Sequence, residues 1–250
     1  MHKKIIIPIV LHKVVESKCI DFEDITLSTL KKVLNKDPDS YITIDDESTS
    51  SSKKFMYMIT FDDGHVSDYK IVYPLLKSLD IRATFFINTN NIGKPGFLTW
   101  GMINEMRNNG NVFGSHGHNH VKMLDINQEE CRYEFLKSKE IYELHTGDTM
   151  KIFSFPYGSY NKDLLQLAAE CNYKNCFISK HGVIQTIGNV IPRNSINSSM
   201  DEIDIDKILN PTSVVILNWI IEDATKNLIK NVIGDKQYRH LRKKILNMLN

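Results

Sequence analysis

Short runs of consecutive apolar residues alternate along this chain with longer stretches of helical periodicity. The runs cover 5–11 (IIIPIVL), 56–61 (MYMITF), 83–88 (ATFFIN), 111–116 (NVFGSH), 151–156 (KIFSFP), 175–179 (NCFIS) and 213–219 (SVVILNW), with a shorter one at 190–196. They lack strict apolar–polar alternation, which marks strands buried on both faces, as in a parallel sheet covered by helices. Helices are expected between them, over 68–79, 99–109, 127–145 and 161–172. Seven or eight such units point to an α/β barrel of the (β/α) type, held in one domain over 1–250. The polar stretch 36–54, Ser-rich in its second half, reads as a solvated loop.

The densest polar clusters follow the apolar runs directly: Asp62-Asp63-Gly64-His65, His116 to His120, Tyr157-Gly158 and Lys180-His181-Gly182. In a parallel barrel these points share the C-terminal rim, where barrel enzymes carry their chemistry. Two acids directly after a buried strand are costly to pack inside. They are either a site or an Asp-Gly turn. His116 and His120 stand four apart, which puts two imidazoles on one side of a helix or of a strand. That is half of a transition-metal site or a surface histidine cluster. An acid on the same rim completes a three-ligand set with positions open to water and substrate.

Composition narrows the classes. Hydrophobic residues make up 42%, charged residues 24%, and the formal net charge is +1. These are ordinary globular values, and near-neutrality argues against a general nucleic-acid partner. Cys19, Cys131, Cys171 and Cys176 form no CxxC pair and read as reduced thiols. The start MHKKIIIPIVLHK imitates a signal peptide, but its apolar stretch is short, contains Pro8 and has no small-residue cleavage site after it. It reads as a first strand, and the expected location is the cytoplasm. No apolar run approaches the ~18 residues of a membrane span.

ITFDDG, GSHGHNH and FSFPYG, in this order and spacing, resemble the polysaccharide deacetylases, the NodB-homology family or carbohydrate esterase family 4. The resemblance extends over roughly residues 5–196 and includes ATFFINTNNIGKPGFLTW. It implies a distorted, TIM-like (β/α)7 barrel and a metal-dependent N-deacetylase. Carried onto this chain, it makes Asp63, His116 and His120 the metal ligands and Asp62 the general base. Pro156 and Tyr157 would line the substrate groove, with the Tyr157 N–H as oxyanion donor. The implied metal is zinc, with cobalt, nickel or manganese as alternatives. Lowering the pKa of a bound water from 15.7 to about 7 is worth of order 12 kcal/mol. A general base supplies roughly 3–5.5 kcal/mol. The metal is the larger of the two effects.

The chain departs from the family pattern in two places. Many members have an Arg two residues before the Pro of the third motif to orient the base; here that residue is Ser154. Arg193 is either its substitute or an ordinary surface arginine. Many members also end a late strand in apolar-x-His as general acid, but SVVILNW offers Asn218 and Trp219. His181 is the substitute chosen, with His118, His65 and His12 behind it; each also reads as a solvated loop histidine. Trp100 either stacks on a sugar or packs in the core.

The tail 226–250 carries seven Lys/Arg against one acid, with Leu228, Ile229, Val232 and Ile233 among its apolar residues. It is either a basic amphipathic helix for peripheral membrane contact or a helix docked on the barrel. The expected activity is removal of the N-acetyl group from an N-acetylated sugar or glycan precursor, lipid-linked in one version, for surface-glycan or capsule biosynthesis. A deformylase or other amidohydrolase acting on a small amide, and a catalytically weakened glycan-binding barrel, are the alternatives.

Overall fold

The computed structural model describes residues 4–46 and 53–234, and residue 237. The chain divides into two compact units, residues 1–210 and 211–250, where the sequence suggested one domain with a tail from 226. The first unit is built on an eight-stranded, all-parallel sheet. Its strands are β1 (Ile5–Leu11), β4 (Phe55–Phe61), β5 (Thr84–Ile87), β6 (Val112–Ser115), β7 (Ile152–Ser154), β8 (Asn175–Ile178), β9 (Val190–Pro192) and β10 (Asn194–Ser195). The order is β10-β1-β4-β5-β6-β7-β8-β9. A small parallel pair, β2 (Val14–Val15) and β3 (Ile25–Thr26), lies beyond β1.

The two ends of the sheet are one segment of chain. β9 pairs with β8, β10 pairs with β1, and only Arg193 separates them. Residues 190–195 therefore close the barrel, which agrees with a (β/α)7 architecture. Between the strands run α1 (Leu27–Val33), α2 (Tyr73–Ser78), α3 (Trp100–Asn108), α4 (Gln128–Thr146) and α5 (Lys162–Glu170), and α6 (Glu202–Leu209) follows the last strand. The helix expected over 68–79 is broken: Asp68–Val72 is a π turn leading into α2. α4 begins in a capping box, with Asn127 and Glu130 satisfying each other's backbone N–H groups.

Period-two alternation decides what fills the barrel. On β4, Met56 and Met58 belong to the apolar plug with Ile6, Phe86, Ile152, Phe177 and Ile191. The next residues of that alternation are Thr60 and Asp62. The interior thus turns from apolar to polar along one strand face toward the C-terminal rim. Gly114 is needed at the plug: a Cβ there would lie 2.4 Å from the Phe86 ring.

The second unit corrects the sequence reading. The run 213–219 is no strand; it opens α7 (Ser213–Ile233). A short apolar run does not by itself distinguish a buried strand from a helix start. Pro211 and Thr212 decide it here, since the Thr212 hydroxyl accepts the Val215 N–H at 3.3 Å as an N-cap. Most of the 226–250 tail lies outside the described residues. Among the described residues no helix is long and apolar enough to cross a membrane.

Candidate active site

Asp63, His116 and His120 converge at the C-terminal ends of β4 and β6. The His120 Nε2 lies 3.1 Å and the His116 Nε2 3.6 Å from Asp63 Oδ1. Local backbone makes this convergence: Asp63 (φ 79°) and His120 (φ 56°) are both left-handed, as is Tyr157 (φ 58°). Such conformations cost non-glycine residues of order 1–3 kcal/mol each and persist only where surroundings enforce them. Asn88 Nδ2 reaches both the carbonyl and Oδ1 of Asp63 at 3.4 Å. For His120 the enforcement comes from Glu134 on α4, a buried carboxylate absent from the sequence reading. Its Oε2 accepts the N–H groups of His118 (2.7 Å) and Asn119 (2.8 Å), and its Oε1 accepts the Asn119 side-chain amide (2.7 Å).

His116 is buried, and its Nδ1 lies 2.8 Å from the Ser154 carbonyl. That bond places the proton on Nδ1 and leaves the Nε2 lone pair facing Asp63. Burial, against the pull of Asp62 and Asp63, holds the imidazole pKa down to about 4, so the ring is neutral near pH 7. Two imidazoles and one carboxylate on one side of a partly open rim fit a divalent cation such as zinc, cobalt or nickel.

Asp62 lies under this cluster and plays a different part. It is buried and held by a fork: Arg193 donates to Oδ1 at 2.6 Å and to Oδ2 at 2.7 Å. The Ser154 hydroxyl donates to Oδ2 at 3.1 Å. Arg193 is itself buried, donates to Thr60 and Ser154, and lies over the rings of Phe86 and Phe177. Burial pushes the Asp62 carboxyl up, but Arg193, joined by His116 once that ring is protonated at low pH, outweighs it and holds the group well below the usual carboxylate range. Arg193 thus reaches both Asp62 and Ser154 from the closing strand. Asp68, also buried nearby, has neither oxygen partnered among the described residues. Burial, then the charges of Asp63 and Asp62, raise its pKa well above the usual value.

The substrate-side residues divide. Pro156 is buried and begins a single 3-10 turn, which leaves the Tyr157 N–H at its open end. Tyr157 is 68% exposed, and its ring leans on His120 at 4.7 Å. Trp100, by contrast, stacks on His145 at 4.3 Å and so belongs to the packing of α3 on α4.

His181 is not brought to the cluster. Its Nδ1 lies 3.2 Å from Asn194 Oδ1, and Asn194 also donates to the Pro8 carbonyl. Asp62 instead donates its N–H to Leu11, three residues further along β1, roughly 10 Å nearer the rim. Two of the other candidate histidines do reach the cluster: His65, whose Nε2 lies 3.8 Å from Asp63 Oδ2, and His12, directly after β1. Single ligand-type atoms of His12, Glu23 and Asp63 all lie within 4.8 Å of one another. Val10-Leu11-His12 is also a strand end of apolar-x-His form. In a closed barrel the strand beside the closing segment can be the first in the chain.

The site is thus a closed parallel barrel with two imidazoles and a carboxylate on its rim, over an arginine-forked acid. Residues 49–176 match the family model "Polysaccharide deacetylase", and the chain belongs to that family. It is 31% identical over 117 residues to YxkH of Bacillus subtilis, covering 47% of this chain and 42% of that one. It is 26% identical over 190 residues to the poly-β-1,6-N-acetyl-D-glucosamine N-deacetylase of Staphylococcus epidermidis, covering 70% of this chain and 58% of that one. The chain therefore spans about half the length of these curated relatives. The fold is shared with the Streptococcus pyogenes deacetylase PplD, at a TM-score of 0.72 and 22% identity over 83% of this chain and 99% of that one.

Proposed function

We propose that this protein is a metal-dependent hydrolase that removes the N-acetyl group from an N-acetylated sugar of a glycan. The observation that carries the reading is the division of labour between neighbouring acids: Asp63 faces two imidazoles, and Asp62 faces a buried guanidinium. A divalent cation held by Asp63, His116 and His120 would supply Lewis acidity, lowering the pKa of water toward neutrality. Asp62, kept ionised and fixed in direction, accepts the proton of the attacking water. The Tyr157 N–H donates to the oxygen that gains charge in the tetrahedral intermediate. The expelled amine needs a proton, and His12 supplies it from across the rim. A glycan of N-acetylglucosamine type is the favoured substrate, because a relative aligned over 70% of this chain is named for one.

The test separates the two acids. Asp62→Asn should retain bound zinc, cobalt or nickel by elemental analysis and lose acetate release from N-acetylated chito-oligosaccharides. Asp63→Asn should lose the metal. Equal metal affinity in both variants would overturn the assignment.

A further inference from the structure

We propose that the rim holds a second divalent-cation site, built from His12, Glu23 and Asp63, and that filling it stops turnover. The inference rests on the deacetylase reading above. The three donors meet the same mutual limit of 4.8 Å as the Asp63–His116–His120 set, with His12 Nε2 at 3.9 Å from Glu23 Oε1. The Asp63 carboxylate is placed to serve both sides. Its Oδ1 faces His116 and His120, while its Oδ2 faces His65 Nε2 at 3.8 Å. A carboxylate has lone pairs enough to bridge two cations, and paired catalytic metals commonly stand about 3.5–4 Å apart. His65 stays outside the His12–Glu23–Asp63 set and backs Asp63 Oδ2, its ring stacked on Phe97 at 5.3 Å.

Packing does not explain Glu23, whose side chain is 62% exposed. Its backbone is nevertheless anchored. The next residue, Asp24, is buried, accepts the N–H groups of Ile20 (2.9 Å) and Asp21 (3.1 Å), and pairs with Lys13 at 3.8 Å. A fixed loop thus holds a movable carboxylate beside the His12 ring. The charge of Lys13, next to His12 in the chain, is engaged by Asp24.

The two sites differ in strength for a visible reason. His116 Nδ1 is fixed by the Ser154 carbonyl, whereas His12 Nδ1 is buried with no partner among the described residues. An outer partner of that kind is worth about 10–100-fold in metal affinity. The second site therefore fills only when cation is in excess. Once filled, His12 Nε2 has given its lone pair to the cation and carries no proton to the leaving amine. Glu23 is drawn across the mouth above Asp63.

The experiment titrates metal-free protein with zinc, following stoichiometry by calorimetry and acetate release in the same samples. Two binding events are expected, the second at least about tenfold weaker, with activity rising over the first and falling over the second. Glu23→Gln should abolish the second event and the inhibition while keeping the first. His120→Ala should lose the first. One zinc per chain in wild type, or a second event unmoved by Glu23→Gln, overturns the proposal and leaves the deacetylase reading intact. No zinc uptake at all overturns both.

Discussion

Replacing Arg193 with Met tests whether the closing strand sets Asp62, the proposed base. In the wild type Arg193 makes the fork to Asp62 at 2.6 and 2.7 Å and further bonds to Thr60 (3.1 Å) and Ser154 (2.7 Å), all buried. Met fills much of the same volume over Phe86 and Phe177 but leaves the Asp62 charge uncompensated. Removing one partner of a buried ion pair costs about 3–5 kcal/mol. For a chain of this size that lowers the melting temperature by roughly 6–20 °C. The second readout concerns protons. With Arg193 gone, burial dominates and raises the Asp62 pKa, so the acid limb of the pH–rate profile moves upward. Arg193→Lys keeps the charge but loses the planar fork, and should fall between wild type and Met in both readouts. Asp62→Asn placed on Arg193→Met removes the orphaned charge and should recover about 1–3 kcal/mol in a double-mutant cycle. A Met variant with an unchanged urea midpoint and an unchanged acid limb would refute the reasoning.

Three further outcomes are expected. His12→Gln should lower kcat by about 10²–10⁴-fold at equal metal content and remove the alkaline limb, while His181→Ala leaves both largely intact; the reverse pattern returns the acid to His181. Glu134→Gln should loosen the 118–119 backbone, weaken metal binding by about 10–100-fold and cost about 1–3 kcal/mol of stability, read by metal competition and urea unfolding. The pH dependence of stability in metal-free protein follows from His116. Its folded pKa of about 4 lies below the unfolded value of 6.5, so the unfolded chain binds more protons in that window and stability falls by about 3 kcal/mol as pH drops through it. His116→Gln should flatten that slope. Asp62, depressed rather than raised, adds its own loss only at lower pH.

What was legible in the sequence was local. Asp63, His116 and His120 each lie one to five residues past a strand, so reading strand ends placed them on one rim. The strands themselves were legible because both faces are buried, except at 213–219. There a run of apolar residues carries no period, and a proline and a threonine before it hold the decision. Glu134 was not legible, since its task is to catch two backbone N–H groups 15 and 16 residues away, and no motif encodes that. His181 failed for the same kind of reason. It follows a strand closely, but the loop after it turns back down the barrel, where Ile184 bridges Ile6.

Arg193 and His12 show why chain order misleads in a closed barrel. The third motif and the closing strand are far apart in sequence, yet Ser154 and Arg193 bond at 2.7 Å, because β7 and β9 flank β8 and residues 190–195 complete the circle. An arginine lost from one strand end can therefore be supplied from another, provided its side chain points inward at the polar level of the barrel. The register supplies that condition: Ile191 lies in the apolar plug and Arg193 is two residues on, on the same face. The same argument applies to the proposed proton donor. Looking for a strand-end histidine late in the chain assumes that the last strand in sequence is the one beside the base. Closure sets β1 beside both β10 and β4, so the first strand ends next to Asp62, and its His12 satisfies the pattern that 213–219, a helix, does not.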